Sequence, residues 1–360
     1  MLVVFLCIFG LLNFYVLANG WFYFFASTTM PLALYSAIGI FLAASYILGM
    51  ILHQNWLNWV GGFWIAVFLY LLLFCICLNL YSLWAWRSGW NPSPAWIFPA
   101  ILVLTALIVT YGAWNAANPK LVQYELLVPQ STPELNIVAV SDIHLGAIHD
   151  LSAYAILVDK INNLNPDLVL FLGDVIDGYL NHVDPLEFAS ISQRLNATHG
   201  VYGVLGNHER YAGPNETVLP YFTNGNIDIL VDNYVSPCPG LYLAGVLSNQ
   251  HDPNEIMVPI SDILKDKPND NWPLILMNHV PDRLTEAQAA GVFLMLSGHT
   301  HHGQLFPGNI VTSLMFENSH GHISQGGMHS IVSSGYGTWG PPVRTGSHGE
   351  LVQIQLVHEK

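Results

Sequence analysis

The chain opens with apolar runs that are too long and too unbroken for a soluble amphipathic helix. They cover residues 2–18, 31–52, 62–84 and 96–114. Each approaches or reaches the roughly 20 mainly apolar residues that a helix needs to cross a bilayer. The breaks hold Asn19-Gly20, Gln54-Asn55 and a polar run from Arg87 to Pro94. Trp56, Trp59, Trp84, Trp86, Trp90 and Trp96 gather near the proposed ends, as an interfacial aromatic belt does. From about Tyr124 the pattern changes to short apolar runs alternating with amphipathic ones. Residues 135–140, 168–172, 201–205, 241–246, 274–277 and 292–296 read as strands, and 151–164, 185–195 and 281–290 as helices. Such alternation predicts an α/β domain of layered sheets and helices. Beyond Gly303 the chain is rich in Gly and Ser, so loops and antiparallel strands are expected there, the latter around 331–333 and 351–357.

Charge sharpens the division. Between Met1 and Trp86 there is no Asp, Glu, Lys or Arg, whereas all 24 acidic residues follow. Only 9% of the 360 residues are charged, against about a quarter in soluble domains. The expected organisation is therefore an all-α anchor of about four transmembrane helices over residues 1–118 and a folded domain over 119–360. A signal peptide is the alternative for the first run, but that run has no Lys/Arg-bearing start. A transport role would mark itself with ionisable groups inside the bilayer. His53 is the one available, and it falls at a predicted helix end.

With four spans, Met1 and the folded domain share a side. Arg87 and Lys120 fall on opposite sides, which leaves the positive-inside rule almost nothing to count. The scarcity of Lys and Arg in the domain favours the extracytoplasmic face of the membrane. Its acidity also argues against nucleic-acid binding, which relies on Lys and Arg contacts with phosphate. The four cysteines form no disulfide or CxxC framework.

Five polar runs each follow a predicted strand directly. They are Ser141-Asp142-Ile143-His144, Gly173-Asp174, Gly206-Asn207-His208-Glu209, Asn278-His279 and Gly298-His299-Thr300-His301. In open α/β sheets the ligand crevice lies outside the carboxyl ends of the strands, so all five are expected at one edge. If the chain stays extended, Asp142 and His144 point to one side, as do His299 and His301. Asp174 can bridge two ions, while Asn207 and His279 add an oxygen and an imidazole. A nitrogen and oxygen set without thiolates suits Mn, Fe or Zn. A histidine-rich loop or a Gly-Asp turn alone is more often plain surface. The ordered set of five is what carries the metal reading.

Together, Asp142-x-His144, Gly173-Asp174-x-x-Asp177, Gly206-Asn207-His208-Glu209, His279 and Gly298-His299-x-His301 resemble the calcineurin-like metallophosphoesterase superfamily. The wording of GVYGVLGNHERYAG, NHVPD and SGHTHHGQL resembles its membrane-anchored bacterial branch. The resemblance implies a four-layer αββα sandwich with two divalent metal ions. Asp142, His144 and His301 would hold the first ion, and Asn207, His279 and His299 the second, with Asp174 bridging. His208 would be the acid facing the substrate, with Asp177 orienting a metal-bound histidine and Glu209 structural. A water activated between the ions would attack phosphorus in line with the leaving group. The expected activity is a phosphodiesterase or pyrophosphatase on a lipid-linked or envelope phosphoester, with membrane lipids as surroundings. The alternative is a catalytically inactive metal-binding receptor or scaffold, which would not need to keep every ligand and His208. His302, where the branch has glycine, is expected to point into solvent, and His348 has no assigned role.

Overall fold

In the computed structural model, residues 2–89, 96–247, 257–268 and 270–359 are described; Trp90 and the polar run to Pro94 lie outside them. The chain divides into two compact units. One is Met1–Trp114 with Gly340–Thr345, the other Asn115–Trp339 with Gly346–Lys360.

The first unit contains helices α1 (Leu2–Tyr23), α2 (Leu32–Leu52) and α3 (Asn55–Ser88), with α4 (Ile97–Ala117) ending just past its boundary. All four are long and apolar enough to cross a membrane. Helix α1 runs through Asn19-Gly20 instead of breaking there, because the amide is satisfied in place. Asn19 Nδ2 donates to the Tyr15 carbonyl (2.9 Å), and Asn19 Oδ1 accepts from Asn79 Nδ2 (2.9 Å). Asn79 also donates to Tyr15 Oη (2.6 Å) and accepts from Tyr23 Oη (2.9 Å), which makes a polar seam between α1 and α3. Unpaired amides are costly in apolar surroundings, and such seams join spanning helices.

Helix α3 begins seven residues before the expected position. Leu57, Asn58, Gly61 and Gly62 are all buried, so the inward face continues through the polar Asn58. At 34 residues it is about 50 Å long, more than the roughly 30 Å hydrocarbon core requires. His53 caps α2 in a left-handed conformation, outside the helix proper.

The second unit is built on two six-stranded sheets. The first contains β1 (Lys120–Val128), β2 (Leu135–Val140), β3 (Leu168–Phe171), β4 (Val201–Gly203), β5 (Asp228–Ile229) and β12 (Glu350–His358), ordered β1-β12-β2-β3-β4-β5. The second contains β6 (Asn233–Cys238), β7 (Leu241–Val246), β8 (Leu274–Asn278), β9 (Leu294–Ser297), β10 (Gly321–Gln325) and β11 (Met328–Val332), ordered β10-β11-β9-β8-β7-β6. β2, β3 and β4 run parallel, as do β7, β8 and β9.

Alternation along the strands decides the layers. Ile137, Ala139, Leu168 and Leu170 meet Leu243, Ile275, Met277, Leu294 and Leu296 between the sheets. The intervening Val138, Val140, Val169 and Phe171 face α5 (Leu151–Asn162), α6 (Pro185–Ser192) and α8 (Asn215–Asn224) through Leu157, Phe188 and Phe222. Tyr242, Ala244, Leu276 and Met295 face α9 (Ile260–Ile263) and α10 (Leu284–Ala289) through Ile260, Leu284 and Ala287. The order is helix, sheet, sheet, helix, and strands buried on both faces read as unbroken apolar runs for this reason.

Three features depart from the sequence expectations. β12 pairs parallel with β1 as well as antiparallel with β2. Residues 215–224, not among the expected helices, form α8. The region after Gly303 carries a helix, α11 (Gly308–Met315), besides strands.

Candidate metal centre

The polar runs leave the sheets at the carboxyl ends of β2, β3, β8 and β9, while the Gly206 run opens the short helix α7 (Asn207–Ala212) just after β4. The chain does not stay extended there. Asp142, His144, Asp174, His299 and His301 all take positive φ, between 47° and 69°. Non-glycine residues rarely adopt this left-handed conformation, and they hold it only where surrounding bonds enforce it. Here the Asp142 and His144 N–H groups donate to the Gly173 and Asp174 carbonyls (both 3.0 Å). The Tyr336 and Gly337 N–H groups donate to the Ser141 and Asp142 carbonyls (both 2.8 Å). Each D-x-H and H-x-H pair thus converges by a turn of the backbone and not by strand alternation.

Two groups of side chains result. In the first, His144 Nε2 lies 3.0 Å from His301 Nε2, and Asp142 Oδ1 lies 3.5 Å from His301 Nε2 and 4.0 Å from His144 Nε2. In the second, Asn207 Oδ1 is 3.2 Å from His279 Nε2 and 2.9 Å from His299 Nδ1, with Asp174 Oδ2 3.1 Å from His279 Nε2. Asp174 Oδ2 also lies 4.0 Å from His144 Nε2, so it stands between the groups. Asp142, His144, Asp174 and His279 are almost wholly buried.

Around them is a ring of bonds. His144 Nδ1 and His208 Nδ1 both approach Asp177 Oδ1, at 3.1 and 2.9 Å. A carboxylate only accepts, so both nitrogens carry hydrogen, and the His144 lone pair is left on Nε2. His279 Nδ1 donates to the Leu172 carbonyl (2.7 Å), with the same result. His208 meets His144 edge-on at 4.6 Å between ring centres.

Glu209 is buried, and its carboxylate accepts from the Asp174, Ile176 and Gly206 N–H groups at 2.9, 2.8 and 2.7 Å. Ser141 Oγ donates to Asp142 Oδ2 (2.5 Å), whose carboxylate also takes the His299 N–H. Close approach at Gly298 makes this possible, since a Cβ there would fall 1.7 Å from Ser141 Oγ. The sequence places Ser141 and Gly298 inside the polar runs without assigning either a role, although a glycine stands directly before His299 and before Asp174 and Asn207. His302 lies against His320, the rings tilted by 30° with centres 4.5 Å apart, instead of standing alone in solvent. His348 bonds to Lys120 Nζ (3.1 Å) and Asn115 Oδ1.

Burial disfavours charge on His279, yet the Asp174 carboxylate beside it raises its pKa to about 10. Burial pushes Asp174 up, but the His279 charge and hydrogen bond hold it well below the usual carboxylate range. Asp142 is pushed up, by burial first and then by Asp174. Imidazole nitrogens and carboxylate oxygens converge at short range, Asp142 with His144 and His301, and Asp174 with His279 and His299, each group within the span that one ion can hold. Nitrogen and oxygen donors without thiolate fit borderline divalent metals.

Residues 135–303 match the family described as calcineurin-like phosphoesterase. Among curated proteins, a metallophosphoesterase of Campylobacter jejuni is 31% identical over 272 residues, 73% of this chain and 71% of its own length. One from Helicobacter pylori is 31% identical over 67% of this chain and 65% of its own length. A zebrafish (Danio rerio) transmembrane protein with a metallophosphoesterase domain is 31% identical over 71% of this chain and 61% of its own length. The matches thus span about two thirds of these relatives. With the paired sheets, the converging ligands and these matches in agreement, the chain belongs to the calcineurin-like phosphoesterases, a family of metal-dependent phosphoester hydrolases.

Proposed function

We infer that the protein is a membrane-bound phosphodiesterase or pyrophosphatase that uses two divalent ions and acts on a lipid-linked or envelope phosphoester. The observation that carries this reading is the position of Asp174 between two buried ligand groups, on a chain with four helices able to cross a membrane. Asp142, His144 and His301 would hold one ion, Asn207, His279 and His299 the other, and Asp174 both. Residues 1–118 would be the anchor and 119–360 the hydrolase, on the extracytoplasmic face of a bacterial plasma membrane. Bound divalent ions supply Lewis acidity, drawing charge from the phosphoryl oxygens and making a water acidic enough to attack at neutral pH.

The protein's own groups do the rest. Asp177 accepts from the Nδ1 atoms of His144 and His208, fixing both tautomers and ring orientations. With Nδ1 held by Asp177, the His208 ring presents Nε2 as the atom that would pass a proton to the leaving oxygen. From Lys120 onward the acidic residues far outnumber the basic ones, which favours a singly charged diester over a doubly charged monoester.

The test is hydrolysis of a chromogenic phosphodiester and a phosphomonoester by the detergent-purified chain with Mn²⁺, beside Asp174→Ala. Diester cleavage that disappears in Asp174→Ala, and on metal chelation, is expected. A metal-loaded protein inert on both substrates and on lipid-linked diesters is inconsistent with catalysis.

A further inference from the structure

The most unusual surface of the second unit is α11. An amphipathic helix on a globular domain ordinarily buries its apolar face against the core. In α11 none of the residues is buried. Ile310, Val311, Leu314 and Met315, at spacings that share one face, are 52%, 54%, 84% and 69% exposed, and Phe306 just before them is 49% exposed. The two hydroxyls of the helix are satisfied within it, Thr312 Oγ1 and Ser313 Oγ both donating to the Asn309 carbonyl (3.1 and 2.7 Å). From Gly303 to Phe316 the sequence carries no charged residue. An outward apolar face of this density needs a non-aqueous partner.

We propose that α11 is an interfacial helix that lies in the membrane surface, its Ile310, Val311, Leu314 and Met315 face buried in lipid. Covalent geometry favours lipid over another protein. Only Asn118 and Pro119 separate α4 from β1. If α4 spans the bilayer, the domain therefore starts within roughly 10 Å of its surface, at about 3.3–3.6 Å per extended residue. Free interfacial helices commonly need Lys or Arg to draw them to anionic lipid. A domain already tethered does not, and α11 has none.

The helix is also fixed to the metal centre. Gly303, two residues after His301 and at φ +68°, packs so closely on the first turn of α11 that a Cβ would fall 2.0 Å from the Asn309 nitrogen. Seating α11 in the interface thus brings the His299–Gly303 loop to headgroup level, where a phosphoester on a lipid lies.

Insertion of α11 is independent of the hydrolytic reading, and the experiment measures it without turnover. The full chain, with the exposed Cys7 and Cys77 replaced by serine, receives a nitroxide label at Ile310→Cys or Leu314→Cys. Leu186→Cys on α6, a position 79% exposed, is the control. The protein is placed in phosphatidylcholine nanodiscs, and label accessibility to oxygen and to a water-soluble nickel chelate is read by power saturation. The expected result is an oxygen-to-nickel ratio several-fold higher at 310 and 314 than at 186. Equal ratios at all three positions overturn the proposal, because α11 is then in water. Labels at 310 and 314 closed to both reagents also overturn it, because the face is then covered by protein, and dipolar broadening identifies a second copy. All three positions are surface-exposed, so each label is carried by a folded chain.

Discussion

Replacing Glu209 by glutamine tests how the loops of the metal centre are held. In the native arrangement Oε2 accepts from the Asp174 and Gly206 N–H groups, and Oε1 accepts from Ile176. Glutamine keeps one oxygen. Placed where Oε2 stands, it retains two bonds and turns its own N–H towards that of Ile176. Placed where Oε1 stands, it retains one and opposes two. The first placement costs less, and it leaves one buried N–H without an acceptor, about 1–3 kcal/mol. An opposing effect is present, since burial and the Asp174 charge both raise the Glu209 pKa, so removing its charge relieves repulsion. The net loss is therefore expected in the lower half of that range. At roughly 2–4 °C per kcal/mol for a domain of this size, Tm falls by about 2–8 °C. Glu209→Ala orphans three donors and leaves a void, a cost of about 3–9 kcal/mol against a typical total of about 5–15. The assay is thermal unfolding of the detergent-purified protein, with metal content measured on the same samples. An unchanged or raised Tm for Glu209→Gln at full metal content would refute the reasoning, because the charge would then be a burden and the three bonds dispensable.

His208→Ala is expected to lower turnover about 10²–10⁴-fold while metal content stays at the native level, since the ring meets the ligand set through Asp177. Loss of metal in that variant contradicts the assignment. A pH effect is expected at Glu350, away from the metal ligands. Burial would raise its pKa, but bonds from His320 and the Ser334 N–H hold it below the ordinary value. Its stabilisation is present above the unfolded pKa of about 4.3 and disappears as pH falls through the lower folded value. Native Tm should therefore drop more steeply than that of Glu350→Gln below about pH 4.3, and parallel curves contradict this.

What could be read in the sequence follows from burial. Residues 135–140 and 241–246 were delimited as observed because both faces of each strand are covered, which gives unbroken apolar runs. β1 leaves no clear apolar signature because it is an edge strand, largely exposed along its first half. α11 shows no helical pattern because its few apolar residues face outward and adjoin Gly and Pro, with no core to impose a longer one. At the metal centre, residue types announced the ligands, since Asp, His and Asn after successive strands have few other uses. The backbone that joins them did not show. Nothing in Asp142-Ile143-His144 signals left-handed φ, because the bonds that enforce it come from Gly173, Asp174 and Gly337, each far along the chain.

The position of β12 has a consequence for how the domain comes into being. β1 reaches the first sheet only through β12, pairing Lys120 with Glu350 at a separation of 230 positions along the chain. During synthesis β1 leaves the ribosome early and has no neighbour until that late segment follows. Until then the edge of β2 that receives β12 stays open, a template for pairing with other chains. Contacts so distant in sequence form slowly, and transiently unpaired edges invite aggregation. A nascent chain halted before Glu350 would therefore hold all of its ligand residues and yet an unfinished sheet, and that interval is when a chaperone has most to protect.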